Sequence, residues 1–111
     1  MLLEQITYVL HPGRAPALMA AYEAEGLAVI RRNLGDLVGW LHADVGDMDE
    51  VTQLWRFTDH ADRARRHRDL AADPDWKRFT TAHGALLVSR RNTLWHTAAY
   101  CPLGRPTVPD R

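Results

Sequence analysis

The sequence predicts an α+β domain in which one four-stranded antiparallel sheet carries helices on one face, in the order βαββαβ. Three observations predict it. A run rich in β-branched and aromatic residues, Leu2–Leu10, opens the chain and stops at Pro12-Gly13. Two more strand-like runs, Leu37–Val45 and Val51–Phe57, flank the turn sequence Gly46-Asp47-Met48-Asp49. Helix-start signals at Asp59 and at Asp73-Pro74-Asp75 then separate Val51–Phe57 from a last strand, Leu87–His96.

Each element has a local reason. Leu2, Ile6, Tyr8 and Leu10 alternate with Leu3 and Val9, so both faces of the first strand are apolar enough to be covered. Pro16 suits the first turn of a helix, and Leu18, Tyr22, Glu25 and Val29 follow at helical spacing. Gly26 weakens this helix by about 0.5–1 kcal/mol relative to alanine and marks a point where it can break. Gly35 ends it. The segment from about His60 to Ala72 is mostly arginine, histidine and aspartate, which predicts a solvated helix. Trp76, Phe79, His83 and Leu86 share one face of the helix that Asp73 starts. Residues 1–99 form one domain, and the tail Tyr100–Arg111, with Pro102, Pro106 and Pro109, is expected to be extended and non-helical.

Right-handed crossovers convert this order into a split βαβ, ferredoxin-like sheet with the first and third strands central. Helices then cover one face only. The other face, expected to carry Trp55 or its neighbours, needs a cover, and a second copy of the chain is the simplest one. Two such sheets face to face make a dimeric α/β barrel.

Composition narrows the function classes. The chain has 111 residues and a 46% hydrophobic fraction, enough for one packed core. Fourteen basic residues balance fourteen acidic ones, against a general nucleic-acid or anionic-membrane binder. No apolar run is long enough for a membrane span, no secretory signal is visible, and Cys101 is alone, so a cytoplasmic location is expected. Arginine is abundant beside the single Lys77, the bias of a GC-rich bacterial genome. No phosphate-cradling glycine loop or nucleophile elbow occurs. The six histidines lack metal-site spacing, and no cofactor is expected.

The ordered pieces Glu4 with Thr7-Tyr8 and Pro12-Gly13, Tyr22-Glu23 with Gly26-Leu27, Leu34-Gly35 with Leu37-Val38-Gly39, then Gly46, Val51 and Leu54-Trp55 resemble the NIPSNAP family. Arg63, Arg66, Asp73-Pro74 and Trp76 continue the resemblance, which spans about residues 4–96. It implies the ferredoxin-like fold and the dimeric barrel. The chain departs from the family pattern at Asp49, Gln53 and Arg90-Arg91. The family has no single reaction. Its wider relatives, including cofactor-free oxygenases and cyclases, imply small-molecule chemistry.

The candidate site follows from polar residues on strands. Glu4, Ile6 and Tyr8 share one face of the first strand, and Gln53 and Trp55 share one face of the third. An unpaired buried polar group costs about 1–3 kcal/mol, so Glu4 and Gln53 need a reason to be there. One reason is a polar-lined barrel cavity for a small organic ligand; the other is a hydrogen-bond network that joins two sheets. His42, alternating with Val38 and Trp40, is the candidate acid or base, or else an exposed edge-strand histidine. Tyr8 is its catalytic companion. Gln53 and Glu4 supply hydrogen bonds, Trp40 and Trp55 supply walls, and Arg90 supplies an anion anchor or an interface ion pair. His60 and His67 are expected on a solvated helix face, His83 in the core, and the Arg63–Arg68 cluster in solvent. The function expected is a homodimeric, cofactor-independent enzyme, of isomerase, cyclase or oxygenase type, in bacterial specialised metabolism. It would act on an aromatic or carboxylated substrate; the rival is a non-catalytic ligand-binding or protein-interaction module with a packed barrel.

Overall fold

The structure, a computed structural model, describes residues 1–104. The element order is β1 (Leu2–Leu10), α1 (Ala15–Ala21), a π-helical turn (Tyr22–Gly26), α2 (Leu27–Leu34), β2 (Asp36–His42), β3 (Glu50–Phe57), α3 (His60–Ala72), α4 (Pro74–His83) and β4 (Leu87–Trp95). The sheet is antiparallel with strand order β2-β3-β1-β4, so β1 and β3 are central as the crossover rule requires. This is the ferredoxin-like α+β fold. Among the described residues no helix is long and apolar enough to cross a membrane.

Register decides which side chains share a face. Three rows cross the sheet on its helix-covered side: Leu37–Trp55–Glu4–Leu94, Trp40–Gln53–Ile6–Asn92 and His42–Val51–Tyr8–Arg90. The helices pack here, and Trp55, Gln53, Val51 and Glu4 are wholly buried. Three further rows form the open face: Asp36–Arg56–Leu3–Trp95, Gly39–Leu54–Gln5–Thr93 and Leu41–Thr52–Thr7–Arg91. Of Trp55 and its neighbours, expected on the uncovered face, it is Leu54 and Arg56 that stand there, and Trp55 lies under the helices. Alternation sorts a strand into two sets, but both sets here mix polar and apolar groups, so the pattern does not say which set meets the helices.

β2 ends at His42, three residues short of the expected Val45, because pairing stops at His42–Val51 and Val45 stands 90% exposed. The loop that follows is tied to β1 instead: Leu10 N donates to Asp49 O, and the Asp49 carboxylate accepts from Gly13 N.

The predicted break at Gly26 is instead a widened turn. Leu27 N donates to Tyr22 O, one residue farther back than in an α-helix, and the helix continues to Leu34. Glycine is required there for space: a Cβ on Gly26 would stand 2.5 Å from the ring of Phe79. Gly35 closes α2 with φ of 90°, and its amide donates to Arg31 O. Asp59 and Asp73 cap α3 and α4 through the amides of Asp62 and Asp75, as their positions predict.

The tail differs from its expectation where it is described. Pro102–Gly104 forms a 3₁₀ turn, and Leu103 O accepts from Arg56 Nε and Nη2 at 3.1 and 2.7 Å. Arg56, 6% exposed on the open face, also binds Asp36. The rest of the tail expectation lies outside the described residues.

Gly26→Ala should lower stability although alanine is the better helix former, because the Phe79 ring must move. A loss of about 1–3 kcal/mol is expected, a fall of several degrees in melting temperature measurable by calorimetry.

Candidate functional site

Between the sheet and the helices lie two adjoining cavities. The larger, about 290 Å³, is walled by Leu18, Tyr22, Trp76, Phe79 and Leu87, with Tyr8 and Arg90 from the sheet. The smaller, about 170 Å³, is lined by His67, Ile30, Leu70 and Ile6 and shares Tyr8, Trp76 and Arg90 with the first. The π turn aims Tyr22 inward. Its hydroxyl lies 3.0 Å from that of Tyr8, and its ring packs on Trp40 and Phe79, with centroids 4.7 Å away in each case. Burial, then the charge and hydrogen bond of Tyr8, push the Tyr22 phenol well above its ordinary value, so it stays a neutral hydrogen-bonding group. Arg90 has no hydrogen-bond or ion-pair partner among the described residues, which leaves its guanidinium free at an aromatic wall.

Glu4 is the electrostatic centre of the region. Its carboxylate, wholly buried, accepts from Arg63 Nη2 at 2.6 Å and Asn92 Nδ2 at 2.7 Å, and meets His67 Nε2 at 2.6 Å. Burial alone would raise its pKa, but the bonds from His67, Arg63 and Asn92 prevail and hold it at about 2. The carboxylate therefore stays ionised and fixes His67 Nε2 as its donor.

The predicted site residues separate into three groups. Tyr8 and Arg90 come together in the cavity. Glu4 reaches the smaller cavity through His67. Gln53 and Trp55 bond to each other, Trp55 Nε1 donating to Gln53 Oε1 at 2.8 Å, and both are wholly buried under the helices. Trp40 supports Tyr22 from behind. His42 is exposed at the end of β2, and in its row Val51 separates it from Tyr8 on the side away from Arg90. These side chains face the helix layer and not a barrel interior: α3 brings Arg63 and His67 to Glu4, and the π turn brings Tyr22 to Tyr8.

His67 and Arg63 were expected in solvent; both bind Glu4. Their signal was present: Arg63, His67 and Leu70 recur at i, i+4 and i+7, an inward stripe opposite a strand with a buried carboxylate. Arg66 also turns inward, to Asp62 and to Asn33 O. His83 is partly exposed, its Nε2 3.2 Å from a carboxylate oxygen of Glu25, and it packs on Phe79. Among the described residues no group of three or more His, Cys, Asp or Glu is arranged to hold a metal ion.

A family model described as NIPSNAP matches residues 3–102. The chain belongs to the NIPSNAP family. A NIPSNAP family protein of unknown function from Agrobacterium tumefaciens is 34% identical over 93% of each chain, with a TM-score of 0.90. A NIPSNAP-like domain protein from Burkholderia xenovorans is 33% identical over 91% of this chain and 88% of that one, with a TM-score of 0.88. A putative antibiotic biosynthesis monooxygenase from Nitrosomonas europaea shares the fold alone: 9% identity, TM-score 0.63, over 87% of this chain and 98% of that one. No curated protein sequence matches the chain.

The depressed pKa of Glu4 links the site to stability. Its contribution is fully present above the ordinary carboxylate value of 4.5 and is lost as pH falls from there through about 2. Glu4→Gln should destabilise the protein at pH 7 by on the order of 3 kcal/mol, and should flatten the decline in stability between those two pH values. Urea denaturation at pH 7 and pH 3 checks both.

Proposed function

We propose that this NIPSNAP protein is a cytoplasmic homodimer that binds a small aromatic anion between sheet and helices and acts on it without metal or nucleotide. The observation that carries the reading is Arg90: a guanidinium unpaired among the described residues, at the mouth of a cavity walled by Trp76, Phe79 and Tyr22, beside the paired hydroxyls of Tyr8 and Tyr22. The aromatic walls suit a flat ring, the guanidinium suits a carboxylate or phenolate, and the hydroxyls can bond a second oxygen. The acyclic alternative, an aliphatic acid, would leave the ring faces without a stacking partner. Proton-transfer chemistry (isomerisation or cyclisation) or cofactor-independent oxygenation in specialised metabolism fits such a site. The fold shared with a putative antibiotic biosynthesis monooxygenase agrees with this reading.

The homodimer is supported by the open face of the sheet. Leu41 is 55% and Trp95 49% exposed there, in rows that also hold Leu54, Thr52 and Thr93. A second copy laid on that face would complete a barrel and leave the cavity on the helix side of each subunit.

Titration with 4-nitrobenzoate should quench tryptophan fluorescence saturably, through Trp76, and Arg90→Ala should weaken binding roughly ten- to a hundredfold. An absence of saturable quenching, or unchanged affinity in the variant, overturns the binding reading. Light scattering should give twice the chain mass of 12.6 kDa, and Trp95→Asp should return the monomer value.

A further inference from the structure

The buried carboxylate, the histidine it holds and the cavity beside them carry an inference that rests on the binding reading and deepens it. We propose that His67 is a catalytic base, that Glu4 is its positioning residue, and that the substrate is an acid whose proton leaves carbon or oxygen next to an aromatic ring.

Three features support it. His67 Nε2 is 2.6 Å from Glu4 Oε1, so the ionised carboxylate takes the proton on Nε2 as its hydrogen bond. The neutral ring then carries its lone pair on Nδ1, which has no partner among the described residues. Glu4 itself cannot swing away, because Arg63 and Asn92 hold its other oxygen at 2.6 and 2.7 Å. His67 also lines the smaller cavity, which shares Tyr8, Trp76 and Arg90 with the larger, so a ring stacked in one places a substituent in the other.

The step balances without a co-reactant. The substrate C–H or O–H bond breaks, its proton forms an N–H bond at Nδ1, and the electron pair stays on the substrate as an enolate or phenolate facing Arg90. The imidazolium that forms sits against the wholly buried Glu4 carboxylate, which offsets its charge. Return of the proton to another atom completes an isomerisation and restores neutral His67.

The probe is 5-nitrobenzisoxazole, whose elimination needs only a base. Its C3–H proton passes to Nδ1, the nitrile forms, and the N–O bond breaks to give 2-cyano-4-nitrophenolate, read by absorbance. Wild-type protein should exceed an equal concentration of free imidazole by at least about a hundredfold. His67→Gln, which keeps a donor toward Glu4, should drop the rate to no more than that of free imidazole while still binding 4-nitrobenzoate. His60→Ala, on the same helix and exposed, should leave the rate unchanged. Nitrogen NMR of the wild-type protein should show the His67 ring protonated at Nε2 and bare at Nδ1, a readout that needs no variant to fold. A wild-type rate no better than imidazole, a retained rate in His67→Gln, or a ring protonated at Nδ1 overturns the inference. If 4-nitrobenzoate binds and the elimination fails, the base is refuted and the binding site stands; if neither occurs, both fail.

Discussion

The ion cluster on Glu4 is the constraint around which the site is arranged. A carboxylate with no solvent exposure on the central strand is tolerable only if every oxygen is engaged. Two elements deliver the three partners: α3 brings Arg63 and His67, and β4 brings Asn92. Those bonds set the height and rotation of α3 over β1 and fix the pairing of β1 with β4. Removing the charge therefore loosens a helix and a strand together. Replacing Glu4 alone with an apolar residue would leave His67 without the anion that orients it.

A second constraint comes from aromatic packing. The π turn at Tyr22–Gly26 inserts one extra residue per turn where Phe79 needs room, and glycine at 26 lets the ring come against the backbone. The same distortion turns Tyr22 into the cavity, where Tyr8 meets it. A helix irregularity, a close ring contact and a hydroxyl pair are thus one feature seen at three levels. Trp40 behind Tyr22, and Trp76 stacked on Phe79 at 5.6 Å, keep those rings from rotating.

The two faces of the sheet have different tasks. The helix-covered face holds the cavity and the buried charges. The open face is a mixed surface of Gln5, Thr7, Thr52, Leu54 and Arg91, with Thr7 and Thr52 bonded side chain to side chain at 3.0 Å. Arg56 anchors Leu103 on that face, so the described part of the C-terminal segment is held by its own subunit. Arg91 pairs with Glu50 while its neighbour Arg90, pointing the other way, has no such partner among the described residues. Adjacent arginines on one strand have different surroundings because side chains alternate, and only one of them can meet the cavity.

The sequence by itself determined the element order, the central strands, the capping aspartates Asp59 and Asp73 and the family. Those rest on short-range rules: alternation, helical spacing, turn chemistry and the absence of a helix proton donor on proline. It also placed Tyr8 and Arg90 as functional candidates, because a polar ring on a central strand and a doubled arginine on the last strand are visible locally. It did not determine which strand face the helices cover, since both alternating sets of β1 suit burial. That choice moved the pocket from a barrel interior to the helix side. It also separated His42 from the site and brought in His67, whose inward orientation depends on a carboxylate 63 positions away in the chain. A long-range pairing of this kind has no local pattern of its own; only the tertiary structure, by closing α3 over β1, decides it.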